Sequence, residues 1–435
     1  MEWLQNGFAK RFFTDNIRNT PSPPDEFRED LEPLKANILA IDKISVTENR
    51  LSVDYSISGN WEQCFFPNVE FFVEYSEDIS KTPKSIAVIP FLCNILPIAW
   101  VLDAEIILQE LDKDFYEHVE EIKQGYIKMY PALKFLGKLT VQKLIDNRQS
   151  ISDKNKSLAF FSGGADSFST LINHVDEKPA LLTLWGSDIT LKDFEGWERV
   201  KKHALETAAQ FHCKNLFVKS SFRLFINEGL LSGLVQPVVN DGWWHGFQHG
   251  IGIISHAAPF VYCNQISKIY FASTYTEKNK TVCASNPTID NYLRVADCTT
   301  IHDGYEFSRQ DKIKNICDYS RRTGEKINLR VCWISSGGQN CCHCEKCYRT
   351  ICAILVEGEN PENFGFNYSP DTVEKMYAAL KNPSFILSVQ VAFWAEILAR
   401  FKEVPQNFKK PEIAKWTKGG DFSMIEKLCS KYLNG

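Results

Sequence analysis

A short glycine turn between a predicted strand and a predicted helix constrains the fold of this chain more than any other feature. The turn is SGGADS at residues 162–167, and the apolar run LAFF at 158–161 predicts a buried parallel strand before it. After the turn, Phe168, Leu171 and Ile172 begin a helical apolar pattern. Backbone N–H groups at such a helix start can bind an anion, and two glycines allow its close approach.

The polar residues of the turn extend this interpretation. Ser162 and Ser167 add hydroxyl donors, and Asp166 adds a carboxylate that fits beside a phosphate when both share a cation such as Mg²⁺. The implied ligand is a pyrophosphate, most simply that of ATP. The alternative is an ordinary Gly-Gly turn with a helix N-cap, which also uses serine and aspartate. The patterns GxxxxGK[ST] and GxGxxG after a strand are absent.

Predicted strands and helices alternate after the turn. Apolar runs at 180–184, 216–218 and 269–272 predict strands, residues 197–211 predict an amphipathic helix, and residues 243–256 a buried one. This alternation predicts an α/β fold with a Rossmann-like parallel sheet and helices on both faces. Because ligands bind such sheets at the carboxyl ends of strands, we expect the glycine turn and Trp185 at one edge.

The chain divides into three predicted parts. Residues 1–150 predict an N-terminal α+β accessory domain, and residues 151–357 predict the sheet domain that contains the glycine turn. Residues 358–435 predict a helical C-terminal region without evident chemistry, which suits packing or an interface such as that of a homodimer. The polar stretch 146–156 predicts a linker between the first two parts.

The accessory region shows hydrophobic patterns of both the strand period and the helix period. Residues 38–46, 51–57 and 69–75 predict strands. Residues 86–102 predict a buried strand followed by a turn and a helix start, and residues 103–130 predict a helix. No catalytic constellation is evident in this region, although it could present a protein partner.

Composition excludes several classes of protein. The 435 residues are 44% hydrophobic and 24% charged, which is ordinary for a globular protein. The formal net charge of −5 argues against a non-specific grip on nucleic acid, so we expect no direct binding of nucleic acid. The first 16 residues lack a signal-peptide core, and prolines interrupt the longest apolar stretch, so we expect a cytoplasmic protein without membrane association.

A cysteine cluster is the second informative motif. Cys332, Cys341, Cys344 and Cys347 form the pattern C-x8-C-x2-C-x2-C, and the 14 cysteines of the chain carry no secretion signal before them. Four thiolates within such a short stretch suit a closed, structural Zn²⁺ site. A redox CxxC of Cys344 and Cys347 is the alternative, but it leaves the other two cysteines unexplained. Cys342 and His343 are also in reach, so the ligand set is open by one residue.

Other polar residues offer weaker signals. His245, His249 and His256 share one predicted helix face but lack the glutamate of HExxH, so we interpret them as core or pocket-lining residues. The helix start at 308–312 could place one cation, Lys312, near phosphates, and a surface salt bridge is the alternative. The polar stretch 272–297 after the fourth strand predicts either a second-substrate loop or a solvated insertion, and its polar residues are Ser273, Thr274, Tyr275, Asn286, Asp290 and Arg294.

The two motifs together carry a resemblance to a known family. The turn resembles the SGGxDS loop of the ATP pyrophosphatase (PP-loop) superfamily, with all five fixed positions present. With the cysteine pattern and the trailing Tyr348-Arg349, residues 157–357 resemble the 7-cyano-7-deazaguanine synthase (QueC) family. Cys342 stands where that family has glycine, and residues 185–188 lack its DYGQ-like sequence. The long flanking regions are similar to those of extended QueC-like proteins of anti-phage gene clusters.

The resemblance implies a site and a reaction. It implies an adenine nucleotide alpha hydrolase-like fold, binding of ATP and Mg²⁺ by Ser162, Gly163, Gly164, Asp166 and Ser167, and zinc on Cys332, Cys341, Cys344 and Cys347. From their predicted positions, we add Trp185 to the ATP-binding residues and assign catalytic roles to Asp166 and Lys312. The implied enzyme is an ATP-dependent carbon–nitrogen ligase, which adenylates a carboxylate, by resemblance 7-carboxy-7-deazaguanine, and joins it to ammonia or to a protein amine.

Three alternatives to this reaction remain open. A PP-loop sulfur transferase acting on RNA would use an activated cysteine, for which Cys213 and Cys263 are candidates. A ligase for another carboxylate would keep the same loop and change the substrate pocket. A non-catalytic nucleotide-sensing partner would bind ATP without turnover.

Overall fold

One ten-stranded, mostly parallel sheet runs through the protein. The computed structural model describes residues 36–148, 156–278, 281–332, 334, 339–380, 382, 385–386 and 390–409. The strand order is β10-β9-β6-β7-β8-β3-β2-β1-β4-β5. The strands are β1 (Ile38–Val46), β2 (Arg50–Ser58), β3 (Phe71–Tyr75), β4 (Glu105–Asp112), β5 (Lys138–Ile145), β6 (Ser157–Phe160), β7 (Ala180–Trp185), β8 (Asn215–Ser220), β9 (Lys268–Ala272) and β10 (Thr299–Asp303).

Helices flank the sheet. The α-helices are α1 (Lys84–Ala87), α2 (Ile89–Val101), α3 (Lys113–Glu117), α4 (Val119–Met129), α5 (Ala165–Asn173), α6 (Phe194–Gln210), α7 (Glu228–Val239), α8 (Ile251–Ile254), α9 (Ala258–Asn264), α10 (Pro287–Asp290), α11 (Arg309–Thr323), α12 (Glu345–Val356), α13 (Pro370–Leu380) and α14 (Val391–Glu403). A π-helical turn spans Trp244–Gln248. Short 3-10 turns lie at Glu62–Cys64, Val175–Glu177, Ser255–Ala257, Pro361–Phe364 and Pro405–Lys409.

The five strands from β6 to β10 are all parallel, and their order reverses beside β6. When these strands are numbered 1 to 5 from β6 to β10, their order from β8 to β10 is 3-2-1-4-5. Strand β6 is hydrogen-bonded to both β7 and β9. This order is compatible with a Rossmann-like fold, whose ligands bind where the order reverses. The segments that follow β6 and β9 therefore meet at the place where such folds bind ligands.

The buried strand β6 divides two cores. All four of its residues are buried, because helices cover both faces of the sheet. Leu158 and Phe160 join a core with α2, whereas Ala159 and Phe161 join the core of α5, α11 and α12. Alternate residues of a strand point to opposite faces, so this division follows from the period of the strand.

The N-terminal strands belong to the same sheet. Antiparallel β3 pairs with β8, through Val73 with Ser220 and Tyr75 with Val218, so the sheet continues across the predicted linker. The strands on the two sides of the predicted boundary are hydrogen-bonded to one another. The division into these two parts stays a prediction. Residues 1–35 and 410–435, which carry parts of the predicted accessory and C-terminal regions, lie outside the described residues.

The predicted strands β6 to β9 and the helix after the glycine turn are confirmed. Three other predictions are wrong. Residues 86–102 are mostly helix α2, which is buried on every side and therefore shows no helical period. Residues 105–112 form β4, because Ile106 and Leu108 fit a period of two as well as a helical one. The predicted helix 243–256 breaks at Gly250, whose φ is +102°.

Strands β5 and β10, at the two edges of the sheet, were not predicted. The sequence of β5 is KLTVQKLI, and its lysines and exposed residues suit an edge that must not pair with other chains. Within the described part of the chain, no helix has the length and apolar character that crossing a bilayer requires.

A close contact joins the N-terminal region to the rest of the protein and gives a first prediction. Gly125 in α4 faces α10, and a Cβ there would lie 2.4 Å from the Thr288 carbonyl oxygen. We expect Gly125→Ala to lower the free energy of unfolding by about 1–3 kcal/mol, because the two helices must separate. Urea unfolding followed by circular dichroism measures this change.

Gly229 in α7 provides the matched control. A Cβ at Gly229 would find its nearest neighbour at 3.8 Å, so Gly229→Ala has room in its helix. Alanine is the better helix former, and this variant should gain up to about 1 kcal/mol. An unfolding midpoint for Gly125→Ala at or above that of the unaltered protein would contradict the packing of α4 on α10.

Candidate functional site

Arg330 fixes the glycine turn after β6. Its backbone N–H donates to the Gly163 carbonyl over 2.7 Å, and its guanidinium donates twice to the Ser162 carbonyl, over 2.7 and 3.0 Å. Gly163 has a φ of +76°, and a Cβ there would meet the His203 ring at 2.6 Å. Glycine at 163 is therefore required both by the left-handed backbone and by the space.

The turn leads directly into the N-terminus of α5. Gly164 is the N-cap residue and no side chain caps this helix start. The hydroxyl oxygens of Ser162 and Ser167 lie 3.3 Å apart, and Ser167 also donates to the Gly164 carbonyl over 3.1 Å. The positive end of the α5 dipole is thus open on the side of the turn, as an anion site requires.

Asp166 lies in the first turn of α5 and is surrounded by cations. Arg309 donates to its Oδ2 over 2.8 Å, and the Lys312 ammonium lies 3.7 Å from its Oδ1. The Thr274 hydroxyl, from the segment after β9, is 3.4 Å from Oδ2. The Oδ1 atom is buried and has no hydrogen-bond partner among the described residues.

The helix start predicted at 308–312 is confirmed, and it brings two cations to Asp166. Ser308 and Asp311 form a reciprocal capping box, which fixes the first turn of α11. Arg309 and Lys312 are three residues apart and therefore lie on one face of the helix. Lys312 is buried and also donates to the Ser273 carbonyl. Burial lowers the pKa of Lys312.

Helix α12 brings two more cations to the same place. Arg349 pairs with Glu345 over 2.9 Å, and its guanidinium lies 4.4 Å above the Phe393 ring of α14. Lys346 has no hydrogen bond or ion pair from its ammonium within the described part of the chain. Desolvation lowers the pKa of both Lys346 and Arg349, and both interact electrostatically with Asp166.

Three helix starts therefore converge beside one carboxylate. The first turns of α5, α11 and α12 hold Asp166, Arg309 with Lys312, and Lys346 with Arg349 respectively. Each helix N-terminus adds partial positive charge to that of the side chains. The site therefore concentrates positive charge, which suits an anion.

The polar stretch after β9 divides into two parts with different roles. Ser273 and Thr274 contact Lys312 and Asp166, and Tyr275 follows them directly, whereas a role in binding a second substrate stays a prediction. The other three predicted residues are structural: Asn286 caps α10, Asp290 is buried in an ion pair with His302 at 2.8 Å, and Arg294 pairs with Asp114 and Asp297.

Trp185 lies at the end of β7, but its side chain belongs to a separate aromatic cluster. The indole stacks on Trp197 with ring centroids 5.1 Å apart and donates to the Thr190 carbonyl over 2.9 Å. No contact joins this ring to the glycine turn among the described residues. A role of Trp185 in binding a nucleotide stays a prediction, and it would have to use the main chain of this residue.

The four predicted cysteines come together. The sulfur atoms of Cys332, Cys341, Cys344 and Cys347 all lie within 4.8 Å of one another, so they could hold a metal ion such as zinc. Backbone N–H groups donate to these sulfurs, from Cys344 to Cys341 over 3.3 Å and from Cys347 to Cys344 over 3.4 Å. Hydrogen bonds with the Cys347 side chain and amide lower the pKa of Cys344 to about 5, which favours a thiolate ligand.

Cys342 and His343 point away from this cluster. The Cys342 thiol donates to the Asn340 carbonyl, and the exposed His343 ring contacts the Cys341 carbonyl at 2.7 Å. The φ of Cys342 is +57°, a conformation that favours glycine. This conformation gives a physical reason for glycine at the matching position of the family that the sequence resembles.

The cysteine cluster is connected to the basic site through the start of α12. Cys344 is the N-cap residue of α12 and accepts a hydrogen bond from the Cys347 amide. A metal held there would fix the first turn of α12, which carries Lys346 and Arg349. The redox alternative would use only Cys344 and Cys347, whereas the geometry brings all four cysteines together.

The cysteines considered for sulfur transfer are elsewhere. Cys213 precedes β8 and Cys263 lies at the end of α9 before β9, so both are at the amino ends of the parallel strands. The glycine turn lies at the carboxyl end of β6, and therefore at the other end of the parallel strands. Burial raises the pKa of both thiols, which disfavours the reactive thiolate.

Sequence reasoning missed part of the basic cluster. Arg330 and Lys346 were not assigned a role, and Arg349 was noted only within the Tyr348-Arg349 pair. A signal for the last two existed, since Lys346 and Arg349 lie three residues apart at a helix start, as Arg309 and Lys312 do. Comparisons with models of protein families, with curated proteins and with solved structures find no match to this chain.

Metal content gives a second prediction. We expect about one zinc ion per chain in the purified protein, measured by elemental mass spectrometry, because four thiolates suit a closed tetrahedral site. Cys347→Ser should lose most of this zinc and lower the thermal midpoint. Cys342→Gly is the matched control and should keep the zinc, since glycine suits its backbone. Equal zinc loss in both variants, or none in Cys347→Ser, would contradict the assignment.

Proposed function

We propose that this site binds the triphosphate of ATP and catalyses the attack of a carboxylate on its α-phosphate. The observation that carries the proposal is the concentration of positive charge around Asp166. Four cationic side chains meet there, and Asp166 and Glu345 are the carboxylates in direct ion pairs with them. Asp188, Asp303 and Glu396 also interact electrostatically with members of this group. Placing several cations in a partly buried space is costly, and a polyphosphate would offset this cost.

The position of the site supports the same ligand. The glycine turn follows β6, where the strand order reverses, and the open N-terminus of α5 continues it. This combination of backbone N–H groups, a helix dipole and close backbone approach is suited to phosphate groups. The adenine nucleotide alpha hydrolase-like fold implied by the resemblance belongs to this proposal.

The same site has a place for Mg²⁺. The Oδ1 atom of Asp166 is buried without a hydrogen-bond partner, and a carboxylate oxygen is a ligand that Mg²⁺ prefers. Bound there with the phosphates, Mg²⁺ would neutralise charge that develops on the leaving pyrophosphate. Arg309 and Lys312 would then turn from Asp166 towards phosphate oxygens, which they reach from the same helix face.

The reaction that fits these residues is carboxylate activation. The carboxylate oxygen attacks the α-phosphorus, pyrophosphate leaves, and the acyl adenylate then reacts with an amine to release AMP. Lys312 and the N–H groups of α5 would stabilise the charge in this step. By resemblance, the carboxylate is 7-carboxy-7-deazaguanine, the amine is ammonia or an amine of a protein, and the zinc is structural.

Turnover gives a third prediction. Incubation with ATP, Mg²⁺, 7-carboxy-7-deazaguanine and ammonium should release pyrophosphate and AMP. We expect Asp166→Asn to lower pyrophosphate release by ~100-fold, because it removes a charged group that acts on the transition state. Lys346→Met should weaken ATP binding about tenfold or more, since it removes a charge-assisted contact.

Lys202→Met is the matched control for these variants. Lys202 is 78% exposed on α6, where it pairs with Glu206, and its loss should leave turnover unchanged. ATP binding without any pyrophosphate release would favour a nucleotide-sensing role. Pyrophosphate release that persists without change in both Asp166→Asn and Lys346→Met would reject this site.

A further inference from the structure

A second cluster of reactive side chains lies beside the basic site. It consists of Asp241, His245, His249, Tyr275 and Cys283, which we call the thiol cluster. His245 lies within the π-helical turn Trp244–Gln248, His249 directly follows this turn, and Cys283 belongs to the segment after β9. π-helical turns of this kind are frequent at functional sites.

Within the thiol cluster, an aspartate orients a histidine. The Nδ1 of His245 donates to Asp241 Oδ2 over 2.7 Å, which leaves Nε2 free to accept a proton. The backbone N–H of Ala284 donates to the His245 carbonyl over 2.9 Å, and this bond fixes Cys283 next to the histidine. The His245 side chain is 39% exposed, so the cluster is open on one side.

Cys283 has the environment of a nucleophile. Its side chain is 4% exposed, and burial alone would raise the pKa of its thiol. The neighbouring imidazoles of His245 and His249 outweigh burial and lower this pKa to about 6. The hydrogen bond to Asp241 and the neighbouring Cys283 raise the pKa of His245 to about 10. These opposite shifts favour a thiolate on Cys283 beside an imidazolium on His245.

The other described cysteines with a shifted pKa outside the metal cluster show the opposite behaviour. Burial raises the pKa of Cys64, Cys93, Cys298 and Cys352, which lie in apolar cores. The Nδ1 atom of His249 is shielded from solvent and has no hydrogen-bond partner within the described residues. A structural cysteine needs neither an oriented histidine nor a second imidazole.

A two-residue segment joins the thiol cluster to the basic site. The Thr274 hydroxyl lies 3.4 Å from Asp166, and the hydroxyl of the next residue, Tyr275, lies 3.4 Å from His245 Nε2. The Tyr275 ring also stacks on the Phe393 ring, with the ring centroids 6.1 Å apart. The guanidinium groups of Arg309 and Arg349 lie over the Phe393 ring. An acyl group activated at the basic site would therefore be formed close to Cys283.

We propose that Cys283 is a covalent nucleophile, which takes the acyl group from the acyl adenylate and passes it to the amine; this inference rests on the proposed function. The thiolate attacks the acyl carbon, a C–S bond forms, the C–O bond to the phosphate breaks and AMP leaves. The amine nitrogen then attacks the thioester carbon, the C–S bond breaks, the thiolate is restored and the amine proton passes to a base. Two acyl transfers of this kind need no oxidant or reductant.

The reaction without amine provides the first test. Incubation of the full chain with ATP, Mg²⁺ and 7-carboxy-7-deazaguanine should add one acyl group to the protein, seen by intact mass and removed by hydroxylamine. Cys283→Ala should lose this adduct and slow amide formation by ~100-fold or more, as expected for a positioned catalytic group. It should keep the carboxylate-dependent exchange of pyrophosphate into ATP. Cys298→Ala, a buried cysteine outside the cluster, is the matched control and should behave as the unaltered protein.

The pH dependence of alkylation provides a test without substrate. Site-resolved alkylation by iodoacetamide should place the midpoint for Cys283 near 6. His245→Ala should move this midpoint upwards, towards the value of about 8.5 of an ordinary thiol. The direction follows because the imidazolium stabilises the thiolate, and its loss favours the protonated form.

The outcomes separate the two proposals. Absence of pyrophosphate exchange in the unaltered protein would reject the proposed carboxylate activation. Exchange with no adduct, together with wild-type amide formation by Cys283→Ala, would overturn the inference alone. An alkylation midpoint for Cys283 near that of an ordinary thiol would also overturn it, whatever the fate of the carboxylate.

Discussion

The site depends on the hydrogen bonds that Arg330 donates to the turn after β6. Gly163 adopts a left-handed conformation, and the backbone and guanidinium of Arg330 bind the carbonyls of the turn. The turn therefore keeps these carbonyls occupied and leads directly into the start of α5. Because β6 lies where the strand order reverses, this turn is placed against the segment after β9, which carries Thr274 and, from the thiol cluster, Tyr275 and Cys283.

The convergence of three helix starts has an energetic cost, which the surrounding ion pairs, capping box and cysteine cluster offset. The dipoles of α5, α11 and α12 and four cationic side chains repel one another in a partly buried space. Asp166 and Glu345 offset part of this repulsion, and the capping box of α11 and the cysteine cluster of α12 hold two of the helices in place. A metal at the cysteines would fix the first turn of α12, and with it Lys346 and Arg349, against this repulsion.

The sequence predicted the parts of this site that are local. The glycine turn, the four sulfurs and the cation of α11 are each contained in one short segment, so spacing alone places them. Arg330 reaches the site through the packing of a distant segment, which no local period shows, whereas the spacing of Lys346 and Arg349 at a helix start was a local signal that was overlooked. Helix α2 was misjudged because a helix that is buried on all sides has no polar face. Strand β4 was misjudged because its apolar residues fit two periods at once.

The N-terminal region has a physical connection to the thiol cluster. The hydroxyl of Tyr126 donates to the Phe247 carbonyl over 2.7 Å, and that of Tyr130 donates to the Gly246 carbonyl over 3.1 Å. A π-helical turn leaves backbone carbonyls short of regular partners, and these two tyrosines of α4 and its C-terminal end satisfy two of them. The turn that orients His245 is therefore held by residues that the sequence assigned to an accessory domain. The N-terminal region therefore supports the geometry of the thiol cluster.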